Sequence, residues 1–81
     1  MSHVPHELAE EFPEAGATIT RLKMESQHFG KLADRYHEVN RRIHRAETNV
    51  EPCSDSRDLE MRRERLRLKD EIAAMLARAG A

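Results

Sequence analysis

Phe29, Leu32, Tyr36, Val39, Ile43, Ala46 and Val50 recur at alternating steps of three and four residues. That seven-residue repeat brings each apolar side chain back to one line on a helix surface, the seam of a coiled coil. A second stretch repeats the pattern with Met61, Leu68, Ile72, Met75 and Ala79, flanked by Leu59, Leu66 and Leu76. Neither helix is stable alone in water, because most of a helix's stability in a protein comes from packing its apolar face. Each stripe needs a cover, and the other supplies it.

Pro52 separates the two stretches. It disfavours helix at Glu51 and cannot continue one itself. The following Cys53-Ser54-Asp55-Ser56 is the one loop-like run, with Ser54, Asp55 or Ser56 able to cap the next helix. A turn this short makes the helices antiparallel neighbours. Centring it near Cys53 sets Ile43 opposite Met61, Val39 opposite Leu66, Leu32 near Ile72, and Phe29 near Met75 and Leu76. The predicted fold is therefore all-α: a long antiparallel two-helix hairpin, coiled-coil-like, preceded by a short helix. The whole chain, 1–81, is one domain with a short helix over about 5–12, a long helix over about 14–51, a turn at 52–54 and a second helix over about 55–79. Phe29, Leu32, Tyr36, Val39, Ile43, Leu66, Ile72 and Leu76 form its expected core.

The arms are unequal. A helix from 14 to 51 would be about 55 Å long at 1.5 Å per residue, and would project beyond its partner. Ile19 and Leu22 then lie uncovered, and Val4, Leu8 and Phe12 form a short amphipathic stretch with two options: to fold back onto them, or to pack with them against another subunit. Leu8, Phe12, Ile19 and Leu22 are the expected contact surface, for a second copy of the chain or another protein. Two polar residues interrupt the seams. Arg65 falls near Asn40 across the hairpin and is read as lying at the stripe's edge with its head in water. Glu25 is read as the end of the paired length.

Composition narrows the function. Only 38% of the 81 residues are hydrophobic while 36% are charged, which suits long helices with one buried stripe. The net charge of −1, with both signs interleaved, gives no global reason to seek nucleic acid or an anionic membrane. The opening residues do not form a signal peptide, and no run reaches the roughly 20 apolar residues of a membrane span. The one cysteine, Cys53, fits a reducing compartment. A cytoplasmic location follows as the expectation.

Catalytic and metal chemistry find little purchase. His3 and His6, and His37 and His44, are spaced along helix faces, but zinc needs converging ligands, and Cys53 is remote in sequence from most of them. Cys53 also lacks a neighbouring base, and a two-helix hairpin offers no enclosed pocket around it. No cofactor, metal or catalytic residue is expected. A stronger rival is nucleic-acid binding, since Arg41, Arg62, Arg63 and Arg67 could meet phosphates near the turn. Acidic residues are threaded among these arginines, and Asp58 with Arg62 and Arg67 with Glu71 have intrahelical pair spacing.

The run Val4-Pro5-His6-Glu7-Leu8-Ala9-Glu10-Glu11-Phe12-Pro13 resembles the opening of the YdcH-like family of small bacterial proteins. The resemblance continues through His28-Phe29, Leu32, Tyr36, Asn40, Ile43-His44-Arg45 and Glu47, then Leu66 and Leu68-Lys69-Asp70-Glu71-Ile72. It implies a bacterial cytosolic helical hairpin and carries no activity, catalytic residue or cofactor with it. Met24-Glu25-Ser26 and Cys53-Ser54 have no counterpart in that resemblance. The expected function is a non-enzymatic interaction or structural module, self-associating or docking on a protein through an apolar helical stripe. The alternative is a nucleic-acid-associated accessory protein using the arginines near the turn.

Overall fold

The computed structural model describes residues 6–48 and 54–80. Among them are four helices and no strand: α1 (Leu8–Glu11), α2 (Gly16–Glu25), α3 (Gln27–Glu47) and α4 (Asp55–Arg78). The antiparallel pair α3 and α4 is the hairpin read from the heptads. Residues 49–53, which carry most of the expected turn and the last seam position, Val50, lie outside the described residues, as do Val4 and Pro5. Ser54 caps α4, its hydroxyl accepting from the Arg57 N–H at 3.2 Å. At the other end Gly80 adopts φ +82°, the left-handed conformation that closes many helices.

The core runs along the seam. Phe29, Ala33, Tyr36, Val39 and Ile43 from α3 meet Met61, Leu68, Ile72 and Leu76 from α4, and all are buried. Leu32, expected in this set, is partly buried and packs against it. Leu66 is not part of the core: it is 60% exposed. Its place opposite Val39 fails because the α4 seam steps from Met61 through Arg65 to Leu68. Leu66 is one position past that line, turned about 100° away.

Arg65 occupies the seam position instead, and its guanidinium donates to the Asn40 side-chain oxygen at 3.0 Å. Asn40 is 1% exposed, the one buried polar residue of the described chain. Arg65 is half-buried, at the stripe's edge, but its head turns to Asn40 and not only to water: a buried amide needs partners, and Arg65 supplies one from the facing helix. The pair also favours this register, since a one-residue slip would break the Arg65 hydrogen bond.

The long first helix does not form. Ser26 leaves helical conformation at φ −129°, ψ 113° and is at once the C-cap of α2 and the N-cap of α3. Its N–H bonds to the Leu22 carbonyl at 2.8 Å and its hydroxyl accepts from the Phe29 N–H at 3.1 Å. One extended residue thus redirects the chain while little backbone hydrogen bonding is lost. The energetic reason is burial. A straight helix would leave Ile19 and Leu22 in water, and each fully buried aliphatic side chain is worth about 1.5–3 kcal/mol. After the bend Ile19 is 6% exposed and Leu22 packs against the core. Arg21 reaches the end of α4, donating to the Ala79 carbonyl at 3.3 Å.

The segment before α2 folds back as well. Leu8 and Ala15 join the core, and Phe12 packs against it. Pro13 sits in the turn between α1 and α2, not at the first position of a helix. The molecule measures 38 × 27 × 18 Å, so its longest dimension matches the roughly 36 Å of α4 rather than a 55 Å rod.

Candidate interaction surface

The projecting arm expected to carry Leu8, Phe12, Ile19 and Leu22 is absent, because all four pack into or against the chain's own core. Their overhang was an inference from an unbroken helix, and Ser26 removes it.

The N-terminal segment is held by polar latches over the hairpin. The Tyr36 hydroxyl donates to the His6 carbonyl at 2.6 Å, and His37 Nδ1 lies 2.9 Å from Glu7. Glu11 takes His6 Nδ1 at 3.1 Å and Lys69 Nζ at 3.4 Å. Partial burial pushes the Glu11 carboxyl up, but the His6 hydrogen bond and the Lys69 charge outweigh it and hold it below its ordinary range. Burial, reinforced by the Glu11 charge, drives the Tyr36 phenol up to about 12. His6 adopts φ +63°, so a non-glycine residue occupies the left-handed region where its carbonyl meets Tyr36.

Two of the four arginines named near the turn are engaged by carboxylates. Arg62 bonds Asp58 at 2.9 Å and lies 3.7 Å from Glu47. Arg67 approaches Glu71 at 3.7 Å and Glu64 at 4.0 Å. Arg62 and Arg67 are five residues apart, roughly 140° around the helix, so they share no face. Arg41 and Arg63 are exposed and make no ion pair with any described residue. Arg63 and Arg67, four residues apart, do share a face of α4. Among the described residues no three histidine, cysteine or acidic side chains converge as a metal site.

What the fold leaves open is the outer face of α4. Leu59 and Leu66 are 50% and 60% exposed and stand seven residues apart on one line, continued by the half-buried Ala73. Beside that line Arg63 and Asp70, also seven apart, are both exposed and without an ion pair among the described residues. Towards the C-terminal end the line opens into a shallow cleft of about 350 Å³, with Phe12, Pro13 and Ala15 on one side and Ala73, Leu76 and Ala77 on the other. Sequence reading missed this surface because Leu59 and Leu66 were taken as flanks of the seam. Their offset from Met61 and Leu68 was the available signal.

A family model described as protein of unknown function (DUF465) matches residues 29–76. That span is more than half of the chain. The chain belongs to this family. YdcH-like proteins are members of DUF465, so the resemblance read from the sequence stands. The DUF465 match begins at Phe29 and ends at Leu76, which are buried residues near the outer ends of α3 and α4. It therefore covers the hairpin and its outer α4 face up to Leu76, and leaves α1 and α2 outside. No curated protein and no solved structure matches the chain. No helix among the described residues is long and apolar enough to cross a membrane.

Proposed function

We propose that this DUF465 member is a non-catalytic interaction module whose docking surface is the outer face of α4. The observation that carries the reading is the placement of Leu59 and Leu66. Both are leucines at heptad spacing on a helix whose inner seam is already filled by Met61, Leu68, Ile72 and Leu76. Two large apolar side chains on one solvent line, beside a cleft lined mostly by apolar residues with Glu11 and Glu14, have the composition of a small interface core. A cytoplasmic setting belongs to the same reading, supported by the lone cysteine and the likeness to small bacterial proteins.

The test is a photo-cross-linking residue placed in the living cell at Leu66, with Lys31 on the exposed surface of α3 as the control site. Protein adducts from position 66 and none from position 31 are the expected result. Equal labelling from both positions, or none from position 66, would refute the assignment of this face.

A further inference from the structure

We infer that the occupant of this face is a second copy of the same chain, its α4 lying antiparallel to the first about a twofold axis at Leu66. The inference rests on the docking surface proposed above and names its partner. The apolar and charged groups along α4 favour that arrangement.

In an antiparallel pair centred on Leu66, residues on the leucine line face partners whose numbers sum to twice its own, and residues on each flank face same-flank partners within one of that sum. Leu66 then meets its counterpart on the axis, and Leu59 meets Ala73 of the second copy at each end. Ala73 lines the shallow cleft with Phe12, Pro13, Leu76 and Ala77. Each Leu59, half exposed in the single chain, thus meets a mostly apolar hollow on the other, one that Glu11 and Glu14 also line. Projection and hollow lie on the same molecule at a separation that twofold symmetry matches, which is the condition for an isologous contact.

The charges agree. On one flank of the leucine line Arg63 faces Asp70 of the second copy, and by symmetry Asp70 faces Arg63. These two residues, exposed and unpaired among the described residues of one chain, become two intermolecular ion pairs. On the other flank Arg62 faces Lys69, a like-charge approach. There each cation already carries its own carboxylate, Asp58 on Arg62 and Glu11 on Lys69, so the repulsion is locally offset. A parallel arrangement would set Arg63 against Arg62, although it would also bring Asp70 beside Lys69, and it would leave the cleft empty.

The contact is narrow, two leucines and a cleft per chain, and belongs to the small, transient class. Its test is sedimentation equilibrium of the purified full chain over roughly 10 µM to 1 mM, the range in which such an interface assembles. The expected result is a reversible monomer–dimer equilibrium. Leu66→Arg, which removes two buried leucines at once, should weaken it roughly a hundredfold. Arg63→Asp should weaken it about fivefold, and adding Asp70→Arg to Arg63→Asp should return it to near the starting value. Circular dichroism of each variant verifies that helicity is kept, since all three positions are solvent-facing.

Restoration by the charge exchange supports the antiparallel register. Dimers indifferent to Leu66→Arg, or a double exchange weaker than the single one, overturn it. A chain that stays monomeric to about 1 mM overturns the self-pairing. If the photo-cross-linker at position 66 still yields an adduct of a different protein, the interaction-module reading survives that failure. If it yields none, both fall.

Discussion

The hairpin and the N-terminal cap, joined at Ser26, are built on different principles. The hairpin, α3 with α4, has a continuous seam of fully buried side chains and one buried amide whose partner comes from the facing helix. The cap, α1 with α2, contributes Leu8, Ala15 and Ile19 to the core, packs Phe12 and Leu22 against it, and is further tied by one part-buried bond, Tyr36 to His6, and by the more exposed pairs His37 to Glu7 and Lys69 to Glu11. Burial of a long stripe is cooperative and hard to break in one place. Surface latches are individually weak and screened by solvent. The hairpin should therefore set the global stability, while the cap opens more readily on its own. The family match covers the first of these regions and not the second.

The largest expected effect is on the seam. Ile72→Ala leaves a cavity where no solvent reaches, and should cost about 2–5 kcal/mol, a large fraction of the stability of a domain this small. Chemical denaturation with hydrogen exchange should show α2, α3 and α4 losing protection together. Loss confined to α4 would mean that the hairpin is not the unit of folding.

Tyr36→Phe should act on the cap. It removes only the hydroxyl that holds the His6 carbonyl at 2.6 Å, at a cost of about 1 kcal/mol. Amides of α1 and α2 should exchange faster while those of α4 keep their protection. Uniform acceleration would show cap and hairpin to be one cooperative unit. Tyr36 is also the only tyrosine, so ultraviolet absorbance reports its ionisation directly. Its phenol is raised in the folded chain, so its contribution is full below the ordinary tyrosine range and lost as pH rises through about 12. Tyrosinate absorbance that appears at the ordinary value without unfolding would place Tyr36 in water.

The smallest effect is at acid pH. Glu64 is held below its ordinary range by its hydrogen bonds to Arg35, at 2.8 and 3.0 Å, against a smaller opposing effect of burial. Glu11 is also lowered, by His6 and Lys69 against burial. Both carboxyls are depressed in the folded chain, so their contribution is full above the ordinary glutamate value. It drains away as pH falls from that value through the lower folded ones. Melting temperature should drop over that window, and Glu64→Gln with Glu11→Gln should flatten the drop. Since Glu64 ties the two hairpin helices and Glu11 ties the cap, the single variants separate the two regions. An unchanged slope in both would show that neither pair matters to folding.

The hairpin was legible from residue spacing alone. Seven-residue periodicity, Pro52 and the serine cap at 54 are local signals, and local signals are what a linear reading can use. The bend at Ser26 was partly visible: Glu25 marked the end of the paired stripe, and Ser26 is a good capping residue. Nothing local says that one extended residue suffices to fold α2 back, because the gain comes from covering Ile19 and Leu22 with residues far along the chain. Leu66 shows the same limit. A leucine beside a seam reads as core until the seam's phase is set, and that phase depends on Asn40 meeting Arg65 across the hairpin.

The sequence by itself determined an all-helical chain, an antiparallel hairpin, its approximate register and its family resemblance, because periodicity and turn chemistry act within a few residues. Only the tertiary structure decided that α1 and α2 close over the hairpin, that Arg65 reaches Asn40 across it, and that Leu59 and Leu66 face out. Each of those outcomes balances burial and polar satisfaction between residues distant in sequence. Such a balance exists only once the helices are in contact.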